Sequence, residues 1–238
     1  MDVLDNIGNW WANFLTHPTF WDAFWPSVLG ALAGAVSAFV LERRYRERER
    51  IGREVGQCNR LIFTLGQMLS TLEDVNELLF IGPRKRLGRE PQWHEIGGLP
   101  GAPEPGPSFV VGEYDFLLED VDRKSNAPRA LGRSYHAVSR FNSALALVHE
   151  RTQLYAQWHR LSTSSVFGVG AEGVAGLVET ETVGHRVDQL TRMLAEDVPE
   201  AVALFKEVIG ELRQALSVRY RGREFIRLWP NDPNAPPV

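Results

Sequence analysis

The chain is poor in the residues that build disulfides and metal sites. Its 238 residues include one cysteine, Cys58, so an intramolecular disulfide cannot form and most of the chain is expected to lie in a reducing compartment. The six histidines do not fall at zinc-binding spacings. His149-Glu150 begins the pattern His-Glu-x-x-His, but position 153 is glutamine. The sequence therefore predicts no metal and no cofactor.

Strand patterns are also scarce, which argues against a nucleotide-binding fold. Residues 168–173, GVGAEG, match the dinucleotide-binding pattern G-x-G-x-x-G. That pattern binds phosphate only between a strand and a helix of a βαβ unit, and no parallel strand follows it here. The segment therefore predicts a flexible loop between helices.

Positive charge is missing from the first 42 residues. The 26 lysines and arginines begin at Arg43, and the formal net charge of −4 gives no reason to expect nucleic acid as a partner. A cleavable signal peptide needs a basic region ahead of its apolar run. We therefore expect the N-terminal segment to be retained, although residues 31–33, ALA, imitate a cleavage site.

Charge of either sign is absent from residues 23–41, AFWPSVLGALAGAVSAFVL. Such a helix extends about 28 Å, close to the hydrocarbon thickness of a bilayer. The alternative is a buried core helix, which normally carries a polar stripe, and here only Ser27 and Ser37 are polar. The composition predicts a transmembrane helix at 23–41.

The two flanks of this span differ in charge and in aromatic content. Residues 1–22 form an aromatic, acidic segment, whereas residues 42–53 carry six arginines and three glutamates. Tryptophan favours the headgroup region, and arginine close to a span is retained on the cytoplasmic side. We expect a lipid bilayer as partner, in the cell inner (plasma) membrane, with the N-terminus outside and the C-terminal domain cytoplasmic. The residues expected at the membrane interface are Trp10, Trp11, Trp21, Trp25, Arg43, Arg44 and Arg46.

Small residues line one face of the predicted span. Gly30, Gly34 and Ala38 follow at four-residue spacing and form the pattern G-x-x-x-G. Small side chains let two helix backbones approach closely in lipid. The pattern favours a homo-oligomer, although glycine and alanine are also common in membrane helices that do not associate.

The remaining sequence predicts a soluble helical domain. Residues 42–81 lack proline and repeat apolar residues at four-three spacing, as in a coiled coil, which predicts a juxtamembrane long helix. Residues 82–112, with four prolines in GGLPGAPEPGP, predict a linker. Residues 113–229 are expected to form a helical bundle that packs with 51–80, and residues 230–238 a disordered tail.

Three further helices are predicted within that bundle, at 127–161, 171–195 and 198–221. Asp197 is expected to cap the last one, with Pro199 in its first turn. The fold class is all-α: a single N-terminal transmembrane helix that continues into a cytoplasmic antiparallel helical bundle. Leu177 and Val178 are expected to face its core.

Arg129 and His136 lie seven residues apart on the first of these helices. The pair resembles the R-x(4 to 6)-H motif of HEPN ribonucleases, all-helical domains of prokaryotic toxins and defence proteins. The resemblance implies that arginine binds phosphate while histidine moves a proton during RNA cleavage. It covers two residues, and Ala130 departs from the polar residue usual in the family.

The sequence thus indicates location and architecture more sharply than activity. We expect a membrane-anchored helical scaffold or interaction protein, typical of bacteria, with an unidentified cytoplasmic protein as a candidate partner and no catalytic role. One alternative is a membrane-tethered HEPN-like ribonuclease or defence effector that uses Arg129 and His136. Another is an effector that perturbs the membrane through its oligomerised span.

Overall fold

The computed structural model describes residues 18–99, 111–118, 126–165, 171–226 and 228, and most of these residues are helical. No strand occurs among them, and the predicted all-α fold class is confirmed. In chain order the helical elements are α1 (Pro18–Asn76), a π-helical turn (Glu77–Ile81), α2 (Gly82–Leu87), a 3₁₀ turn (Val111–Leu117), α3 (Ala127–Ser165) and α4 (Ala171–Arg219).

The chain divides into two compact units, Met1–Arg53 and Glu54–Val238. In the first unit the described residues are the N-terminal part of α1. The second unit contains the rest of α1 together with α2, α3 and α4. The apolar core described below belongs to this second unit.

The C-terminal part of α1 buries one face, as its four-three spacing predicts. Burying that face removes apolar surface from water, which is the main force that holds a bundle together. The buried residues of this face are Cys58, Leu61, Ile62, Leu65, Met68, Leu69, Leu72, Val75 and Leu79.

Ion pairs between helices establish their directions. Arg133 of α3 pairs with Glu211 of α4, and later along the chain Glu150 of α3 pairs with Arg186 of α4. Residue numbers therefore fall along α4 as they rise along α3, so the two helices are antiparallel. The same relation joins α1 to α4, because the Tyr220 hydroxyl contacts Glu54 and Lys206 pairs with Glu73.

Residues 171–219 form one helix, whereas the sequence predicts a break at Asp197. Pro199 lies inside α4, where the missing N–H interrupts the backbone hydrogen bonds at a cost of about 3 kcal/mol. Leu194, Val198 and Ala201 are nevertheless buried on both sides of it. Continuous packing against the core therefore outweighs the local preference of proline to end a helix.

The first turns of α4 also differ from the expectation. Leu177 and Val178 were expected to face the core, but they are 59% and 60% exposed. Trp158 of α3 lies beside Gly184 of α4, so antiparallel pairing puts Leu177 level with the last residues of α3. The core ends there, and the inward face of α4 begins at Val183.

The predicted linker begins with ordered structure. Residues 82–87 are helical, and Gly88 ends α2 with φ 68°. Residues 88–99, named the strap here, follow, with Ile96 and Leu99 buried. Residues 100–110 lie outside the described part of the chain, as do residues 168–170 of GVGAEG and the predicted tail 230–238.

Candidate functional site

The N-terminal part of α1 exposes apolar side chains in every direction. Val36 and Phe39 are 61% and 66% exposed. The continuous helical stretch Phe24–Leu87 is the one described helix long and apolar enough to cross a bilayer, and its most apolar 18-residue window has mean hydropathy 1.8 and is unburied. The other large exposed apolar residues of this part are Phe24, Trp25, Leu29, Leu32, Val40 and Leu41.

This exposure separates the segment from the core helix that the sequence left as an alternative. A core helix would be covered by other parts of the protein, yet none of the apolar window is buried among the described residues. Extended apolar surfaces on proteins mark contacts with other proteins or with lipid. The segment can therefore bind an apolar phase along its whole circumference.

A cluster of arginines directly follows the apolar residues on α1. Arg43, Arg44 and Arg46 are all exposed, and the Arg46 guanidinium pairs with the Glu42 carboxylate at 2.5 Å. Exposed guanidinium groups can bind lipid phosphates while their stems cover apolar surface. This arginine cluster can therefore lie at a lipid headgroup layer.

The aromatic residues expected at the opposite interface are described in part. The Trp25 side chain is exposed and packs edge-on against Phe24, with ring centroids 5.8 Å apart. Trp21 lies on α1, while Trp10 and Trp11 fall outside the described residues. The amphipathic indole of Trp25 thus lies at the start of the apolar stretch, where a headgroup contact would be needed.

The small-residue face predicted for helix association is open. A Cβ atom built on Gly30 or Gly34 would meet nothing within 4 Å, and Ala38 is exposed. A second helix could therefore approach this face at backbone contact distance.

Arg129 and His136 lie on one face of α3, and both side chains are exposed. Seven residues of helix separate their backbones by about 10 Å. Between them, Arg133 pairs with Glu207 at 2.7 Å and with Glu211. Arg129 and His136 therefore lie on an exposed helix face beside Arg133, whose charge is compensated by the two glutamates. This arrangement adds no further catalytic group to support the ribonuclease hypothesis.

Arg151 is a buried cation that no sequence motif singles out. Its guanidinium donates through Nε to the Thr191 hydroxyl at 2.8 Å, and through Nη1 and Nη2 to the carbonyl oxygens of Gly97 and Ile96 at 3.1 and 2.7 Å. A further bond from Nη2 reaches the Trp93 carbonyl at 3.3 Å. Burial lowers the pKa of Arg151 to about 10, which leaves it charged at neutral pH. The side chain therefore holds the strap to α3 and α4.

The strap is further fixed by an ion pair of its own. Arg89 binds both carboxylate oxygens of Glu95, at 2.9 and 2.5 Å. The Trp93 ring packs on Trp158, with centroids 4.8 Å apart, and the Tyr155 hydroxyl donates to the His94 carbonyl at 3.2 Å. The spacing from Val148 to Arg151 to Tyr155 places all three on the inward side of α3, and this spacing was the available clue to Arg151.

A cleft of about 440 Å³ lies between the strap and α4, lined by Phe80, Pro91, Trp93, Asp188, Thr191 and Arg192 among others. Arg192 and Asp188 pair with each other at 2.6 Å, so this charge is already compensated. No group of three or more metal-ligating side chains occurs in the described ranges. The cleft is therefore the gap that remains where the strap packs beside α4.

The chain was also compared with known proteins. No protein family, no curated protein and no solved structure matches it. A functional assignment therefore depends on the surfaces described above, among them the exposed apolar stretch of α1.

Proposed function

We propose that this chain is a single-pass membrane protein whose helical domain works in the cytoplasm as a scaffold or interaction module. The observation that carries the proposal is residues 24–41 of α1, which are apolar and exposed on all sides. No catalytic group is required for this function.

The size of the apolar surface supports the proposed location. Eight large apolar side chains of residues 24–41 are exposed, and full burial of such a side chain contributes about 1.5 to 3 kcal/mol. Transfer of this stretch from water into lipid would therefore gain on the order of 10 kcal/mol. Its backbone is helical throughout, and apart from Pro26, which has no N–H to donate, its backbone groups can pair within the helix.

The proposed orientation follows from charge. The arginine cluster begins at Arg43, immediately beyond the apolar stretch, and the opposite flank has no lysine or arginine. Basic residues near a span remain on the cytoplasmic side. This bias supports an N-terminus outside and the second unit inside, at the inner (plasma) membrane of a bacterial cell.

The proposed homo-oligomer uses the small-residue face of Gly30, Gly34 and Ala38. Substituting both Gly30→Leu and Gly34→Leu should weaken in-membrane crosslinking severalfold, because leucine side chains would hold two helix backbones apart. Gly52→Leu, also at an open position on α1, is the matched control. Unchanged crosslinking in the double variant would remove this face as the association surface.

Membrane fractionation with protease protection tests the proposal as a whole. The intact chain, tagged at both ends, should resist alkaline extraction, with its C-terminal tag shielded and its N-terminal tag digested when protease is added from outside. A soluble chain would overturn the membrane proposal. A shielded N-terminal tag with a digested C-terminal tag would overturn the orientation.

A further inference from the structure

The arginine cluster of α1 belongs to a ring of polar side chains around the helix. One residue beyond the apolar stretch come Arg43, Arg44, Tyr45 and Arg46. Successive residues of an α-helix point about 100° apart, so these four side chains point in four directions around the helix axis. All four are exposed, and the tyrosine is 70% exposed. Three guanidinium groups and a phenol therefore encircle α1 just beyond its apolar part.

The positive charge of this ring is only partly compensated. Arg46 pairs with Glu42 at 2.5 Å. Arg43 and Arg44 have no ion pair with any residue that the structure describes. Three arginines and one glutamate leave residues 42–46 with a formal charge of +2. The ring can therefore bind anions from outside the protein, and its guanidinium groups can each donate two parallel hydrogen bonds to a phosphate.

The height of the ring above the apolar stretch matches the headgroup layer of a bilayer. At about 1.5 Å per residue, Arg43 and Arg46 lie about 3 Å and about 7.5 Å of helix beyond Leu41. The polar layer on each side of a bilayer is about 5 to 7 Å thick. Helical side chains leave the backbone tilted toward the N-terminus, so these arginines start back toward the apolar residues. With residues 24–41 in the hydrocarbon, their guanidinium groups reach the lipid phosphates.

We propose that the arginine cluster selects anionic phospholipids, of the phosphatidylglycerol type, around the cytoplasmic end of the proposed span. This inference rests on the proposed membrane location. A zwitterionic headgroup carries its own cation beside the phosphate, whereas an anionic headgroup leaves the phosphate charge to the guanidinium groups. The distribution around the whole helix favours lipid, which surrounds a span, over an acidic protein segment, which would contact one face.

Spin-labelled lipids in reconstituted vesicles test the inference. The full-length protein is placed in phosphatidylcholine vesicles with a trace of spin-labelled phosphatidylglycerol or spin-labelled phosphatidylcholine, and the fractions of label immobilised at the protein are compared. We expect about fivefold preference for phosphatidylglycerol, the factor that one arginine near an anionic surface supplies. Arg43→Gln with Arg44→Gln should abolish most of this preference, because it removes the uncompensated charges.

The matched control removes two arginines from later exposed positions of α1, through Arg53→Gln with Arg60→Gln. Arg53 lies about 18 Å of helix beyond Leu41, outside the headgroup layer. The control variant loses the same charge as the test variant and should keep the preference. Equal association of both lipids with the parent protein, or equal losses in the two variants, would overturn the inference.

Two further measurements separate this inference from the alternatives. Alkaline extraction of the same vesicles tests the proposed location: an extracted protein would overturn the location and the inference together, whereas a retained protein without lipid preference would overturn the inference alone. Inorganic phosphate, added at the ionic strength of a sodium chloride control, should leave the preference unchanged. A loss of preference in phosphate alone would mean that the arginines bind a soluble anion, and would overturn the inference.

Discussion

Two stretches of the same helix meet their surroundings in opposite ways. Residues 24–41 of α1 are apolar and exposed, while residues 58–79 are less uniformly apolar and bury a complete face. The second stretch carries charged residues such as Arg60 on its outer side, so water can solvate one side of it. The first has no charge on any side. The difference teaches that the distribution of polar residues around a helix, more than its apolar content, decides which medium it needs.

The largest effect should come from placing charge in the exposed apolar stretch. Leu32→Arg with Val36→Arg puts two guanidinium groups near the centre of the proposed span, at a cost of about 3 kcal/mol each for insertion. We expect the protein to move from the alkali-resistant to the extractable fraction. Gln57→Arg, at an exposed position later on α1, should leave extraction unchanged. Equal retention of the parent protein, the double variant and Gln57→Arg in the alkali-resistant fraction would contradict the contrast between the two stretches.

A smaller loss should follow from removing the buried cation of the second unit. Arg151→Met deletes four hydrogen bonds to the strap and to Thr191, and we expect a loss of about 3 kcal/mol in the free energy of unfolding. Denaturant titration of the full-length protein in micelles measures it. Arg192→Met removes an exposed i,i+4 pair with Asp188 and should cost at most about 0.5 kcal/mol. Similar losses in both variants would mean that the strap does not depend on Arg151.

Two glycines of α1 should respond differently to alanine. At Gly56 a new Cβ meets nothing within 4 Å, so Gly56→Ala should stabilise the helix by up to about 1 kcal/mol. At Gly66 the same atom meets Leu228, so displacement of the leucine should offset that gain. Thermal unfolding of the two variants compares them directly. An equal gain at both positions would show that the contact with Leu228 adds no stability.

The smallest effect concerns pH. The hydrogen bond from Arg89, followed by that from the Gln92 N–H, lowers the pKa of Glu95 to about 2, whereas an unfolded chain has a glutamate pKa of about 4.3. This carboxylate therefore contributes stability that is present above about pH 4.3 and is lost as the pH falls toward 2. Between pH 5 and pH 3, Glu95→Gln should lose less stability than the parent protein. Glu113→Gln, at an exposed glutamate, should lose as much stability over this pH range as the parent protein. If the stability of the parent and of both variants depended on pH in the same way, the role of Glu95 would be contradicted.

Much of the helical architecture could be predicted because it depends on local periodicity. The inward positions from Cys58 to Leu79 and those of α3 from Leu131 to Val148 repeat at helical spacing, and the structure buries them. Pro199 misled the same reasoning, since its preference to start a helix is local while the burial of Val198 and Ala201 is not. Leu177 and Val178 continue the periodic face beyond the point where α3 ends, and spacing alone contains no information about that end.

The candidate surfaces also differ in whether local sequence patterns can predict them. The sequence by itself determined that the chain is all-α and that residues 23–41 lack charge, because both depend on the order of side chains along one helix. Only the tertiary structure decided which residues are covered. Arg151 contacts carbonyl groups more than fifty positions away in the chain, and Leu228 reaches Gly66 across the length of the second unit. Such contacts arise when separate helices pack together, and no repeat in the sequence encodes them.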